Sequence, residues 1–330
     1  MRVLFAGTPE VALPVLRALM DHEEHDVVGV LTRADARRGR GRTLHPSPVA
    51  ALAREAGLDV RTPTTLKDED TQAWVRGLDA DVAVVVAYGR LVPPDLLDVP
   101  THGWLNLHFS LLPAWRGAAP VQRALMAGDR VTGASVFRLE AGLDTGPVYA
   151  TRTEPVGARD TAGDLLERLA ADGAPLVLDV LDALARGTAV ATAQPGTGVS
   201  LAPVLSPRDG DVDWSRPAEQ IDHQVRGVTP APGARTTYLG QTLRLGPLTI
   251  ADDAAPTSLA PGELYVTKRD VLVGSGTIPL RLGRVAPAGR SWMEAEAWAR
   301  GARPAPGTRL GHLGHLDRLD RLDTDGQERA

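Results

Sequence analysis

The sequence predicts a doubly wound, mostly parallel α/β sheet domain followed by a small OB-like β-barrel domain, over 330 residues. Three observations carry this expectation. Apolar runs alternate with helix-period patterns through residue 186, a stretch rich in Gly, Pro, Ser and Thr interrupts them at 187–207, and five short strand-like runs follow between 234 and 285. The length alone favours two domains at roughly 100–200 residues each.

Residues 2–7 (RVLFAG) read as a buried strand, and 10–20 as a helix whose apolar positions include Val11, Val15, Leu16 and Leu19. DVVGVL (26–31) is the second strand, leading into an Arg/Gly loop that ends at HPSPV (45–49). Residues 48–56 are helical, 59–61 a short strand and 66–76 helical again. DVAVVVAY (81–88) is apolar on both faces, as a central parallel strand should be. GWLNLHFS (103–110) follows, then a helix near 118–127, strands near 131–138 and 147–154, and a long helix over 161–186. Past the 187–207 stretch, residues 211–228 offer one helix with Pro217 near its start. The runs RTTYLG, QTLRLGPLTI, GELYVT, DVLVGSG and IPLRLGRV are punctuated by Gly and Pro, and 293–300 adds a helix. The expected boundaries are 1–188 for the sheet domain, 189–207 for a linker, 208–310 for the C-terminal domain and 311–330 for a disordered tail.

Composition narrows the chemistry. A chain of this size buries about 75% of its extended surface and needs no staples. There is no cysteine, which excludes disulfides, zinc fingers, iron–sulfur clusters and thiol nucleophiles. A mean hydropathy of −0.11 and the absence of any run near 18 apolar residues fit a cytoplasmic protein without a membrane segment. The formal charge is −5, yet Arg33, Arg37, Arg38, Arg40 and Arg42 meet only Asp35, a local +4. Taken alone that cluster is a solvated loop.

Cofactor signatures fail. FAGTPE follows the first strand, but G-x-G-x-x-G and G-x-x-x-x-G-K-[ST] are both absent, and GSG (274–276) sits where a hairpin turn belongs. His312 and His315 lie in the tail with no third ligand in a rigid element, so no metal site is expected. The segment 105–113 differs. Side chains alternate along a strand, so Leu105, Leu107 and Phe109 share one face and Asn106, His108 and Ser110 the other. An amide donor and an imidazole two residues apart, at the carboxyl end of a central strand, suit acyl chemistry. Asp144, in the glycine-flanked GLDTGP run (142–147), is either a turn residue or a carboxylate that approaches His108 and raises its pKa.

NLHFSLLPAWRGAAPVQRAL (106–125) and GLDTGP (142–147) resemble the paired signatures of folate-dependent formyltransferases. FAGTPE, GRGR with HPSPV, VVVAYGRLVP (84–93), the D-W-S run at 213–215 and T-P-x-P-G-A at 229–234 are similar to members acting on methionyl-tRNA. The likeness spans residues 1 to 310. Phe109 stands where a small residue is common, and Ala231 where the family often has an aromatic.

The resemblance implies a Rossmann-like catalytic domain and a tRNA-binding C-terminal barrel. It implies formyl transfer from 10-formyltetrahydrofolate to the α-amino group of methionyl-initiator-tRNA, without a metal, by a protein expected to be monomeric. Asn106, His108 and Asp144 would be catalytic, with His108 cationic or sharing a proton with Asp144. Ser110, Leu111, Leu112 and Pro113, with Val86, Tyr88, Gly89, Arg90, Leu91 and Val92, would line the folate site. Arg37, Arg38, Arg40 and Arg42 would meet the tRNA. A rival substrate is a nucleotide-linked amino sugar such as UDP-4-amino-arabinose, since such enzymes can share the barrel.

Overall fold

The computed structural model describes residues 1–38, 43–251 and 259–311. In chain order the first part holds strands β1 (Arg2–Gly7), β2 (Asp26–Leu31), β3 (Ala36–Arg38), β4 (Thr43–His45), β5 (Val60–Arg61), β6 (Val82–Val86), β7 (Trp104–His108), β8 (Arg116–Gly117), β9 (Val131–Arg138), β10 (Val148–Pro155) and β11 (Leu201–Ala202). Its helices are α1 (Leu13–Met20), α2 (Pro48–Glu55), α3 (Glu69–Gly77), α4 (Pro94–Leu97), α5 (Pro120–Ala127) and α6 (Ala162–Ala185).

Two compact units form. One contains Met1–Pro120, Val131–Pro155 and Leu165–Pro203; the other contains Val121–Arg130, Val156–Asp164 and the chain from Val204 onward. Helix α5 thus belongs mainly to the second unit, where Arg123 pairs with Asp209 at 2.7 Å.

The first unit is built on a seven-stranded sheet of order β10-β9-β7-β6-β1-β2-β5. The strands from β7 to β5 run parallel, and β9 and β10 are antiparallel to their neighbours. β6 is buried along its whole length, as its unbroken valine-rich run requires of a strand covered on both faces. The chain starts at β1, fills one side through β2 and β5, then returns to fill the other from β6. That reversal places the carboxyl ends of β1, β6 and β7 together, the position where open α/β sheets bind ligands.

Part of the stretch expected as an Arg/Gly loop is strand. β3 and β4 pair antiparallel, with Ala36 opposite His45 and Arg38 opposite Thr43. Asp35, its one acid, faces Arg54 at 3.7 Å. Arg40 and Arg42 lie outside the described residues, as do His312 and His315. The 187–207 stretch is also more than a spacer: Thr192 exchanges two 2.8 Å backbone hydrogen bonds with Val148, and β11 pairs in parallel with β8.

The second unit contains α7 (Ala218–Gly227), strands β12 (Ala234–Tyr238), β13 (Gln241–Leu245), β14 (Leu248–Ile250), β15 (Leu264–Val266), β16 (Val271–Val273), β17 (Leu280–Leu282), β18 (Arg284–Pro287) and β19 (Met293–Glu294), and helix α8 (Ala295–Ala302). They make two four-stranded sheets, β12-β13-β18-β19 and β14-β17-β16-β15, whose pairs within each sheet are antiparallel. The sequence suggests five strands where eight form, because two of its runs each cross between sheets and Met293–Glu294, expected to open a helix, pairs as β19. QTLRLGPLTI breaks at Gly246–Pro247 and IPLRLGRV at Gly283. The core joins Ile221 and Val225 of α7 to Leu243, Leu282, Val285 and Trp298, and the buried Trp214 indole donates to Thr236 Oγ1 at 3.0 Å.

Candidate active site

β7 lies between β6 and β9, with Asn106 in register with Val85 and Phe137, and His108 opposite Ser135. Leu105 and Leu107 are buried on one face, so the alternation turns Asn106 and His108 to the other. Asn106 is half-buried, and its amide makes no hydrogen bond among the described residues. Its N–H groups are therefore available to a ligand.

His108 is 5% exposed and packs edge-to-face on Phe137, the ring centroids 6.2 Å apart. Its Nε2 lies 2.9 Å from the carbonyl oxygen of Trp115. A carbonyl accepts only, so Nε2 carries the proton and Nδ1 of the neutral ring presents a lone pair. Nδ1 faces Asp144 Oδ2 at 3.8 Å, too far for a direct hydrogen bond. Burial lowers the imidazole pKa more than Asp144 and the Trp115 carbonyl raise it. The resting ring is neutral. This runs against the expectation of a ring held cationic or sharing a proton with Asp144, because the ring is withdrawn from water and the carboxylate, at 3.8 Å, stops short of contact.

The turn after β7 is stitched by hydroxyls. Ser110 Oγ donates to Ala114 O at 2.6 Å, and Ser135 Oγ donates to Ser110 O at 2.7 Å while accepting the Leu112 N–H at 3.1 Å. The Ser110 hydroxyl therefore shapes the turn, with Leu111 and Pro113 half-buried on it and Leu112 largely buried. The Leu112–Pro113 peptide is cis. Trp115 takes a positive φ of 60°, and its N–H donates to Ser200 Oγ at 2.8 Å.

Asp144 sits in left-handed backbone, φ 49°, a conformation that Asp tolerates better than most residues. Its Oδ2 accepts the Gly117 N–H at 2.7 Å. Gly146 allows the chain to turn back there: a Cβ on it would lie 1.8 Å from Arg138 O. Gln194 Nε2 donates to Asp144 O and Gly146 O, both at 2.8 Å, and its Oε1 accepts from Arg116 at 2.6 and 3.1 Å.

The segment after β6 offers mainly backbone. Val86 and the Tyr88 ring are buried, Tyr88 in a cluster with Leu4, Leu31 and Trp104, and burial pushes the phenol pKa up to about 12. Thr8 Oγ1 donates to Tyr88 O at 3.1 Å, joining the carboxyl ends of β1 and β6. Gly89 has φ 75°, Arg90 donates to Thr64 O, Val92 is half-buried and Leu91 is 89% exposed.

The family model for formyl transferases matches residues 1–181, and that for the formyl transferase C-terminal domain matches residues 204–303. The chain belongs to the formyltransferase family. Among curated formyltransferases, the methionyl-tRNA formyltransferase of Acidothermus cellulolyticus is 56% identical over 324 residues, covering 94% of this chain and all of that one. The enzymes of the same name from a Nocardioides species and from Thermobifida fusca are 56% and 53% identical over 311 residues, each covering 94% of this chain and 98% and 99% of theirs. The fold is also that of an N-formyltransferase from Helicobacter canadensis solved with folinic acid and dTDP-3-aminofucose, TM-score 0.66 at 15% identity, over 86% of this chain and 98% of that one. HypX from Aquifex aeolicus with tetrahydrofolic acid gives TM-score 0.60 at 16% identity, covering 91% of this chain and 47% of that one. No helix among the described residues is long and apolar enough to cross a membrane.

The formyltransferase signatures mark Asn106, His108 and Asp144, which the structure gathers, but not their supports. Trp115 acts through its carbonyl, which carries no side-chain signal. Ser135 becomes visible only through the pairing of β9 with β7, which sets it opposite His108. Gln194 and Ser200 lie in a stretch whose composition reads as linker.

Proposed function

We propose that this formyltransferase moves the formyl group of 10-formyltetrahydrofolate to the α-amino group of methionyl-initiator-tRNA, giving N-formylmethionyl-tRNA. The observation that carries the reading is its 50–56% identity, over 92–94% of the chain, to relatives named methionyl-tRNA formyltransferase. The family supports a folate-derived donor, and the juxtaposed Asn106, His108 and Asp144 support the chemistry.

The neutral amine attacks the formyl carbon and forms the new N–C bond, placing negative charge on the formyl oxygen. Asn106 donates to that oxygen, a contribution on the order of 3 kcal/mol. His108, neutral at rest, accepts the proton shed by the attacking nitrogen at Nδ1. The imidazolium formed lies between Asp144 Oδ2 and the Trp115 carbonyl, two acceptors already 3.8 and 2.9 Å from its nitrogens. Collapse breaks the bond from the formyl carbon to folate N10, and N10 takes the proton. No step calls on a metal.

Residues 86–92 and 110–113 are assigned to the folate site through backbone groups and Leu91, at the carboxyl ends of β6 and β7. Arg37, Arg38, Arg40 and Arg42 are assigned to tRNA phosphates and base edges. The enzyme acts as a monomer in the cytoplasm. The test offers one folate donor with methionyl-tRNA and, separately, UDP-4-amino-arabinose. Formylated methionyl-tRNA is the expected product; formylation of the sugar nucleotide alone would overturn the reading.

A further inference from the structure

The loop that presents Asp144 lies outside any strand or helix; the Gly117 N–H of β8 meets its carboxylate, but its main chain is held elsewhere. Its backbone is left-handed at Asp144, and the carbonyls of Asp144 and Gly146 both point at one side chain, Gln194, 2.8 Å from each. The direction of that amide is fixed from behind. Arg116 has only donors, so Gln194 Oε1 must face it, at 2.6 Å from Nη2 and 3.1 Å from Nε, which leaves both Nε2–H groups for the two carbonyls. The segment that carries Gln194 is itself anchored to the sheet, through Thr192 to Val148 on one side and through Ser200 to the backbone of Trp115 and Arg116 on the other.

We propose that Gln194 is a positioning residue that fixes Asp144 against His108, with Arg116 setting the direction of its amide. The proposal rests on the role given above to His108 and Asp144. Without Gln194 the two carbonyls keep water as a partner, so the loop survives, but the carboxylate is left to the Gly117 N–H alone and its distance from the imidazole is less tightly set. The consequence falls on the proton-transfer step rather than on binding.

The test uses the full chain and four variants: Gln194→Ala, Gln194→Glu, Asp144→Asn and the double variant Asp144→Asn with Gln194→Ala. Two quantities are read, steady-state formylation of methionyl-tRNA and the titration of the His108 ring protons by NMR. Gln194→Ala is expected to lower kcat at least about tenfold while KM for the folate donor stays within about threefold. Gln194→Glu, which keeps an acceptor for Arg116 but turns an acceptor-only oxygen toward the two carbonyls, is expected to lose at least as much. The His108 titration should move downward in Gln194→Ala, toward its position in Asp144→Asn, and the double variant should match Asp144→Asn in both readouts. Wild-type kcat and His108 titration in Gln194→Ala overturn the proposal. So does an equal loss from Gln194→Ala in the Asp144→Asn background, or a lowered Tm with no change in titration. If the wild-type chain leaves methionyl-tRNA unformylated while Gln194→Ala still shifts His108, the acceptor assignment fails and the positioning role stands.

Discussion

His108 Nδ1 and Asp144 Oδ2 stand 3.8 Å apart, and the same carboxylate oxygen accepts the Gly117 N–H at 2.7 Å. The pair is close enough for the carboxylate to stabilise a cation and too far for it to own the proton. Burial therefore decides the resting state, and His108 is neutral.

A base that is neutral at rest loses function only when acid protonates it. Because burial holds His108 below the usual histidine value of about 6.5, the acid limb of kcat should fall below that pH. Asp144→Asn removes the group that raises the pKa, so its limb should move lower still while kcat drops. His108→Ala should lose about two decades. Profiles of kcat between pH 5 and about 8 read both, and a wild-type limb above about 6.5 would return His108 to a resting cation.

Asn106 tests the other half of the site. The charge it meets appears only after attack, so Asn106→Ala should lower kcat about 10²-fold with little change in folate affinity. Its amide has no partner among the described residues, so stability should hardly change. A variant that turns over normally at saturation but binds folate poorly would make Asn106 a binding group instead.

The fold was legible where periodicity is strong. β1 and β6 announce themselves as apolar runs, and in β7 the two-residue alternation by itself places Asn106 and His108 on one face. Gly146 and Asp144 were legible as a turn, since Asp tolerates the left-handed backbone found at Asp144 and only glycine fits against the Arg138 carbonyl. The charge state of His108 was not, because it depends on how much water the fold removes and on a gap of 3.8 Å, neither of which is written in spacing. Nor was the brace from Gln194. Glutamine in a Gly/Pro-rich stretch has no periodic signature, and its role depends on two carbonyls about 50 residues earlier in the chain. Two of the three extra strands of the second unit escaped because Gly246–Pro247 and Gly283 break runs that look continuous; the third, β19, opens the stretch that reads as a helix.

His25 sets a pH dependence of stability away from the site. Its side chain is fully buried, stacked on His22 at 4.2 Å and 3.2 Å from Asp182 Oδ1. Burial lowers its pKa first, the neighbouring His22 and the N-terminal amine lower it further, and Asp182 and the Glu24 backbone oppose them. A histidine whose folded pKa is depressed binds fewer protons folded than unfolded. Its contribution is therefore complete above about pH 6.5 and is lost as pH falls from there toward the folded value. His108 acts in the same direction. Tm should thus fall between pH 7.5 and about 5.5, and less so in His25→Gln. Equal slopes for the two proteins would remove His25 from the account.

The basic stretch at β3 and β4 bears on the tRNA substrate. Strand pairing of residues 36–38 with 43–45 brings the two ends of this segment together, and residues 39–42, Gly-Arg-Gly-Arg, connect them. Asp35 is turned toward Arg54, so the segment's own acid is engaged outside the cluster. Arginine side chains suit phosphates and base edges, and each phosphate contact releases counterions. Arg40 is central in the run 37–42, and Arg33 precedes β3. Arg40→Ala should therefore cut kcat/KM for methionyl-tRNA at least about tenfold, leave folate binding unchanged and lower the log–log salt slope by roughly 0.7–0.9. Arg33→Ala should change both far less. Kinetics of the two variants at two salt concentrations, beside a folate titration, separate them. Small and equal losses would make the stretch a solvated loop; a loss of folate binding would place Arg40 at the other substrate.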